Sequence, residues 1–245
     1  MNLKLICCKP MESDILKIAQ KSNQKIDIEV IDMKYHEKPE ELNLFLQKSI
    51  DNTKENYNAL LLCMGLCSKG TAGLLSKHIP VVIIKAHDCI TFSLGSKEKY
   101  KEIFNKNAGT YYFTKGWLEN IHAENSSMSI LDEDNRAKRL KILTEEYGDD
   151  NADFLLEMET SWISHYNRAL FIKDDLENNE KEIKILEQIV ADSNWKLDFE
   201  EKKYDILEKF LNGEWDSSEF IVLNAGEEVF ETGDENILGK RLKTF

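Results

Sequence analysis

Pro80-Val81-Val82-Ile83-Ile84 is followed at once by Lys85-Ala86-His87-Asp88-Cys89. An apolar run without alternation, led in by proline and left through polar residues, predicts a central parallel strand buried on both faces. Chemistry-bearing residues at the exit of such a strand point to a site, because ligands of open α/β sheets bind beyond the carboxyl ends of the strands.

Working outward, the segments on either side alternate short β-rich runs with amphipathic stretches, the pattern of a parallel sheet covered by helices. Residues 3–8 predict a first strand. A helix over 12–22 should follow, with Ile15, Leu16, Ile18 and Ala19 on its apolar side. Residues 26–31 alternate like a strand. Pro39 marks a first helical turn, after which Leu42, Phe45, Leu46 and Ile50 recur at helical spacing. Residues 59–64 predict the next buried strand, and Gly65 to Gly73 a glycine-rich turn entering a short helix.

Further on, residues 110–114 read as a strand with a turn or helix at Gly116-Trp117. The charged stretch 124–150 holds a helix around 136–147. Alternation resumes with strands at 170–172, 195–199 and 220–223 and helices near 181–191 and 206–211, a second β-α-β-α-β half. The expected class is therefore α/β, with a parallel sheet or sheets flanked by helices, arranged either as two Rossmann-like lobes or as one continuous sheet. The expected division is an N-terminal lobe over 1–123, a helical linker or arm over 124–168 and a C-terminal lobe over 169–245.

Bulk properties narrow the function. The chain has 245 residues, 42% of them apolar, enough for a large core, and a net charge of -13 from 45 acidic and 32 basic residues. That charge repels nucleic acid and anionic membrane surfaces. No segment approaches the roughly 18 apolar residues of a membrane helix, and the N-terminus lacks a secretory leader. Five cysteines in that setting predict free thiols in a reducing, cytoplasmic location, where a cysteine cluster reads as metal-binding or catalytic.

Cys8 closes the first predicted strand, Cys67 lies in the loop after the third and Cys89 follows the fourth. Three thiolates converging there can hold zinc or a four-iron cluster with one coordination position open. Cys7 and Cys63, placed inside strands, read instead as buried packing residues. His87 is a fourth ligand or a general base, and Asp88 a helix cap. Gly65-Leu66-Cys67-Ser68-Lys69-Gly70-Thr71 is not a phosphate loop, since its lysine precedes the second glycine. Gly65, Gly70 and Thr71 can nevertheless cradle an anion with backbone donors, or form a tight turn. His36, His78 and His122 read as surface residues. Trp162, His165, Tyr166 and Arg168 form a polar-aromatic cluster that walls a pocket or packs two lobes together.

The blocks Gly65-Leu66-Cys67-Ser68-Lys69-Gly70-Thr71-Ala72-Gly73, Ala86-His87-Asp88-Cys89-Ile90-Thr91 and Gly95-Ser96 resemble the uncharacterised domain-of-unknown-function family sixteen thirty-eight. Gly109-Thr110-Tyr111-Tyr112-Phe113-Thr114-Lys115-Gly116-Trp117 resembles its next block. Gly213-Glu214-Trp215-Asp216 with Phe220-Ile221-Val222 resembles a C-terminal one. The family pattern includes cysteines matching Cys8, Cys67 and Cys89; this sequence departs from it in the Lys9-Pro10 pair directly after Cys8. Because family members often stand beside corrinoid-dependent methyltransferases, the resemblance implies a link to methyl-group metabolism, with a corrinoid protein or methyltransferase as partner and a small-molecule substrate. The expected function is thus a zinc or iron-sulfur protein, an enzyme or accessory factor. The alternatives are a metal-free module binding a small molecule or corrinoid, and a Cys/His thiol-nucleophile enzyme.

Overall fold

The computed structural model describes residues 1–120 and 129–243. These divide into two compact units, residues 1–99 with 203–245 and residues 100–202.

The first unit opens with β1 (Asn2–Cys8), α1 (Glu12–Ala19), β2 (Lys25–Ile31), α2 (Pro39–Asn52), β3 (Ala59–Cys63) and β4 (Val81–Ile84). Pro10 sits in the turn that starts α1, and Glu12 and Asp14 place negative charge at its positive end. Ile15 and Ile18 are buried, whereas Leu16 is 44% exposed, so the apolar side of α1 is narrower than its composition suggests. In α2 the expected stripe is realised: Leu42, Leu46 and Ile50 are buried. Every residue of β3 and β4 is buried, as strands covered on both faces must be.

The sheet order is β2-β1-β3-β4 followed by a fifth strand. β1, β2, β3 and β4 pair in parallel, with Leu5 level with Leu61 and Leu61 level with Val82. From β1 the chain steps to one side for β2 and then crosses back for β3. Right-handed crossovers therefore place α1 and α2 on opposite faces. The link from β3 to β4 contains no helix, contrary to expectation. It is a chain of turns ending in an extended piece, Gly73 to Ser76, that pairs with the C-terminal hairpin: Gly73 N–H donates to Val229 O at 2.7 Å and Val229 N–H to Leu74 O at 3.0 Å.

After α3 (Ile90–Leu94) and α4 (Lys97–Lys106), the second unit carries β5 (Thr110–Thr114), α5 (Lys115–Asn120), α6 (Glu133–Tyr147), α7 (Asp149–Thr160), β6 (Arg168–Lys173), α8 (Glu180–Ser193) and β7 (Lys196–Glu201). Its sheet is parallel in the order β5-β6-β7, over a core that includes Phe113, Phe171, Leu186 and Trp195. Asp132 caps α6 by accepting from Asn135 N–H, Gly148 at φ 81° breaks the helix, and Arg139 clasps Glu159 across the resulting hairpin.

The chain then returns through α9 (Asp205–Asn212), β8 (Phe220–Leu223), β9 (Glu227–Glu231) and β10 (Leu238–Leu242). β8 pairs antiparallel with β4, Ile84 opposite Phe220, and so completes the first sheet instead of extending a second half. The compact units consequently differ from the expected boundaries at 123 and 168: segment 203–243 belongs with the N-terminal strands, and α6 and α7 belong with β5 to β7.

Truncating Leu61, 0% exposed at the centre of β3, should cost about 2–5 kcal/mol. Leu44→Ala, at a side chain 71% exposed on α2, should stay within about 0.5 kcal/mol of the parent. Urea unfolding of the two variants reads both values.

Candidate functional site

In the order β2-β1-β3-β4 the direction of winding reverses between β1 and β3, and ligands of open α/β sheets bind beyond the carboxyl ends of the strands at such a switch point. Cys8 is the last residue of β1, Cys67 follows β3 and Cys89 follows β4. All three belong to or pack against the core of the first unit.

Two backbone hydrogen bonds lock the exit loops of β3 and β4 together: Leu66 N–H donates to Ala86 O at 2.8 Å and Cys67 N–H to His87 O at 2.9 Å. So close an approach requires glycine at position 65. A Cβ there would stand 2.4 Å from Ala86 O.

Beyond Gly65 the chain does something rare for ordinary residues. Cys67, Ser68 and Lys69 adopt φ of 45°, 54° and 74°, a left-handed turn of consecutive non-glycine residues. Each costs about 1–2 kcal/mol in that region, so the surroundings must impose it. Gly70 N–H donates to Cys67 O at 2.9 Å, and the buried Thr71 hydroxyl donates to Gly65 O at 2.9 Å. From α2, the Asn43 side-chain amide donates to Gly70 O and Ala72 O. Backbone strain of this kind gathers at functional sites. It also explains the missing helix, since a left-handed turn cannot lead into a right-handed one. The donors of Gly70 and Thr71 are spent inside the loop, which serves the tight-turn reading of this segment better than the anion cradle.

Interaction with the neighbouring Cys89 thiol, then burial, then Cys67 and Cys63 nearby, push the pKa of the Cys8 thiol well above the ordinary thiol value. Burial first, with Cys89 and Asp88 adding, pushes the Cys67 thiol up as well. Cys63, wholly buried, is raised by burial and by Cys7 beside it; the two stand level in adjacent strands. Cys67 and Cys89 are partly exposed, and Cys7, Cys8 and Cys63 are buried. Among the described residues no group of three or more His, Cys, Asp or Glu side chains is arranged so as to hold a metal ion.

His87 is exposed and lends the site its carbonyl. Asp88 accepts from Ile90 N–H at 3.0 Å at the start of α3, and burial pushes the pKa of its carboxyl up. Of the remaining histidines, His78 and His165 are exposed. His36 is partly buried with Nδ1 at 3.1 Å from Met33 O, so it is not a free surface ring. His122 lies outside the described residues. Tyr111 stacks on Trp195 and packs against Trp162 and Tyr166, which meet each other edge to face, inside the second unit, and Arg168 pairs with Asp198 at 2.7 Å. That cluster is packing within one unit.

What the reading of the residues missed is the left-handed turn and the clamp from Asn43. The only trace of either in the residues is the pair Gly65 and Gly70 flanking the turn.

The architecture defines a Rossmann-like α/β protein with thiols gathered at the switch point of its first sheet. The chain belongs to the family described as Protein of unknown function (DUF1638), whose model matches residues 30–211. Cys67, His87 and Cys89 fall within that match; Cys8 and the strands after α9 fall outside it. No curated protein and no solved structure matches the chain significantly. No helix among the described residues is long and apolar enough to cross a membrane.

Gly65→Ala should lower stability by about 1–3 kcal/mol through the forced parting of the loops. Ser68→Gly should raise it by about 0.5–1 kcal/mol net of the greater chain entropy of glycine. Thermal or urea denaturation reads both, and a stabilising Gly65→Ala would contradict the close approach.

A pH dependence follows from Cys7, whose thiol burial lifts from 9.0 to about 12. The folded chain keeps this thiol neutral where the unfolded chain ionises it. The contribution is full below about pH 9 and is lost as pH rises toward 12. Stability measured from pH 8 to 11 should fall with pH, and less steeply in Cys7→Ala.

Proposed function

We propose that this chain is a metal-binding protein in which Cys8, Cys67 and Cys89 hold zinc or an iron-sulfur cluster beyond the ends of β1, β3 and β4. The observation that carries the reading is the convergence of thiols from three sequence-distant strand exits on the switch point, one of them held there by a strained turn. Structural cysteines need no such turn. The donors suit a soft or borderline cation in type. Loading would require the thiols to give up protons and turn toward a common point. Thiols whose pKa is raised by burial and by neighbouring thiols, as at Cys8 and Cys67, are tolerable as thiolates only beside a cation.

Bound zinc would supply a Lewis acid that activates water or a thiol, and a cluster would supply electron transfer or a substrate-binding iron. The chain's own residues do the positioning. The left-handed turn fixes Cys67, the bond from Ile90 N–H to Asp88 fixes the start of α3 behind Cys89, and the exposed His87 stands where a small-molecule substrate would approach. A role in corrinoid-linked methyl-group metabolism, as a cytoplasmic enzyme or accessory factor, is part of the proposal and is carried by the family resemblance alone. Against a thiol nucleophile at Cys67 stands its raised pKa, opposite to what activation requires.

The test is metal and sulfide analysis, with an absorbance spectrum, on protein purified without oxygen, beside a Cys8, Cys67 and Cys89 triple alanine variant. The expected result is stoichiometric zinc, or iron with sulfide, in the parent and its loss from a variant that circular dichroism shows to be folded. Parent protein that stays metal-free after incubation with zinc, and after iron-sulfide reconstitution, overturns the proposal in favour of a metal-free binding module.

A further inference from the structure

The hairpin of α6 and α7 has little beneath it. α6 has 15 residues and buries Leu143 alone, and α7 has 12 and buries Ala152 alone. A helix in water owes most of its stability to the apolar face it packs away, and the partly exposed Arg139–Glu159 pair adds little to that. Large apolar side chains of the hairpin meanwhile face solvent: Ile142 is 45% exposed, Phe154 60% and Met158 59%. Single exposed apolar residues are ordinary. Phe154 and Met158 are not single, because four residues apart they stand one above the other on α7. An apolar ridge on a hairpin that buries two side chains marks a face built to be covered.

The charges around the ridge say by what. α7 carries Asp149, Asp150, Asp153, Glu157 and Glu159 and no basic residue, whereas the middle of α6 carries Arg136, Lys138, Arg139 and Lys141 with no acid among them. Helical spacing puts Asp150 and Glu157 beside Phe154, and Lys138 beside Ile142. Lys138, Lys141, Asp150, Asp153 and Glu157 are all exposed, and none of them has an ion-pair partner among the described residues. A uniformly basic partner would be repelled by α6, and a uniformly acidic one by α7. The complement of this face carries both signs side by side on an apolar ground, and the hairpin is itself such a surface.

We propose that α6 and α7 are the dimer interface of this protein. Two copies meet about a two-fold axis, each α6 lying on the α7 of the other, and make a four-helix bundle. Phe154 and Met158 of one copy close over Ile142 of the other, with Lys138 and Lys141 against Asp150, Asp153 and Glu157. The net charge of -13 opposes indiscriminate self-association, so the attraction is confined to this face. The contact uses none of the cysteines and stands or falls apart from the metal site.

Sedimentation velocity and light scattering on the full chain, over a wide range of concentration, provide the test. The parent should be a dimer. Phe154→Ser with Met158→Ser, at side chains too exposed to matter to the fold, should weaken self-association by about tenfold or more with the circular dichroism of a folded chain. Lys138→Glu with Lys141→Glu, and separately Asp150→Lys with Asp153→Lys, should each give monomers, since like charges then face each other. Mixed in equal amounts, these two charge variants should form a heterodimer, seen at its own mass by native mass spectrometry, because both contacts are again of opposite sign. A parent that is monomeric throughout, a dimer indifferent to these substitutions, or charge variants that fail to pair on mixing overturns the proposal.

Discussion

Everything at the candidate site depends on one close approach of backbone to backbone, that of the β3 exit loop to the β4 exit loop. Because residue 65 has no side chain, Leu66 and Cys67 can donate to Ala86 and His87, and two loops far apart in sequence become one piece of structure. Once they are joined, Cys67 has little freedom. Its turn is forced into the left-handed region, the Thr71 hydroxyl seals the inside of the loop and Asn43 seals it from α2. The same junction carries Cys89 toward Cys8. Remove it and the cysteines revert to unrelated strand ends.

The thiols divide by what surrounds them. Cys7 and Cys63 are 0% exposed and stand level in adjacent strands, where sulfur packs as a modest hydrophobe. Cys8, Cys67 and Cys89 also belong to or pack against the core of the first unit but stand at the strand exits. Low polarity raises the cost of ionising Cys8 and Cys67. A cation is the chemical means of relieving that cost.

Much of this was legible in the sequence. β3 and β4 announce themselves because strands buried on both faces must be apolar at every position, and α2 because Pro39 and the spacing from Leu42 to Ile50 leave little else. The cysteines could be assigned to strand exits for the same reason. Other features were hidden by physics that residue types do not carry. β8 looks like any buried strand, and only its pairing with β4 reveals that it runs antiparallel and closes the first sheet. β9 and β10 escape notice because charges cover them: Glu227 meets Lys240 at 2.8 Å and Glu228 meets Arg241 at 2.8 Å across the hairpin. The left-handed turn is invisible because cysteine, serine and lysine do not favour it; context imposes it.

The return of the chain to its first sheet bears on how the molecule is made. Residues 100–202 are contiguous and can close their parallel sheet while synthesis is still under way. The first unit cannot. Until β8 emerges, β4 has an unpaired edge, and the segment at Gly73 lacks the hairpin that pairs with it. For most of translation, then, an apolar strand edge stands open beside the future site, an invitation to mispairing that a nascent-chain chaperone would be well placed to cover.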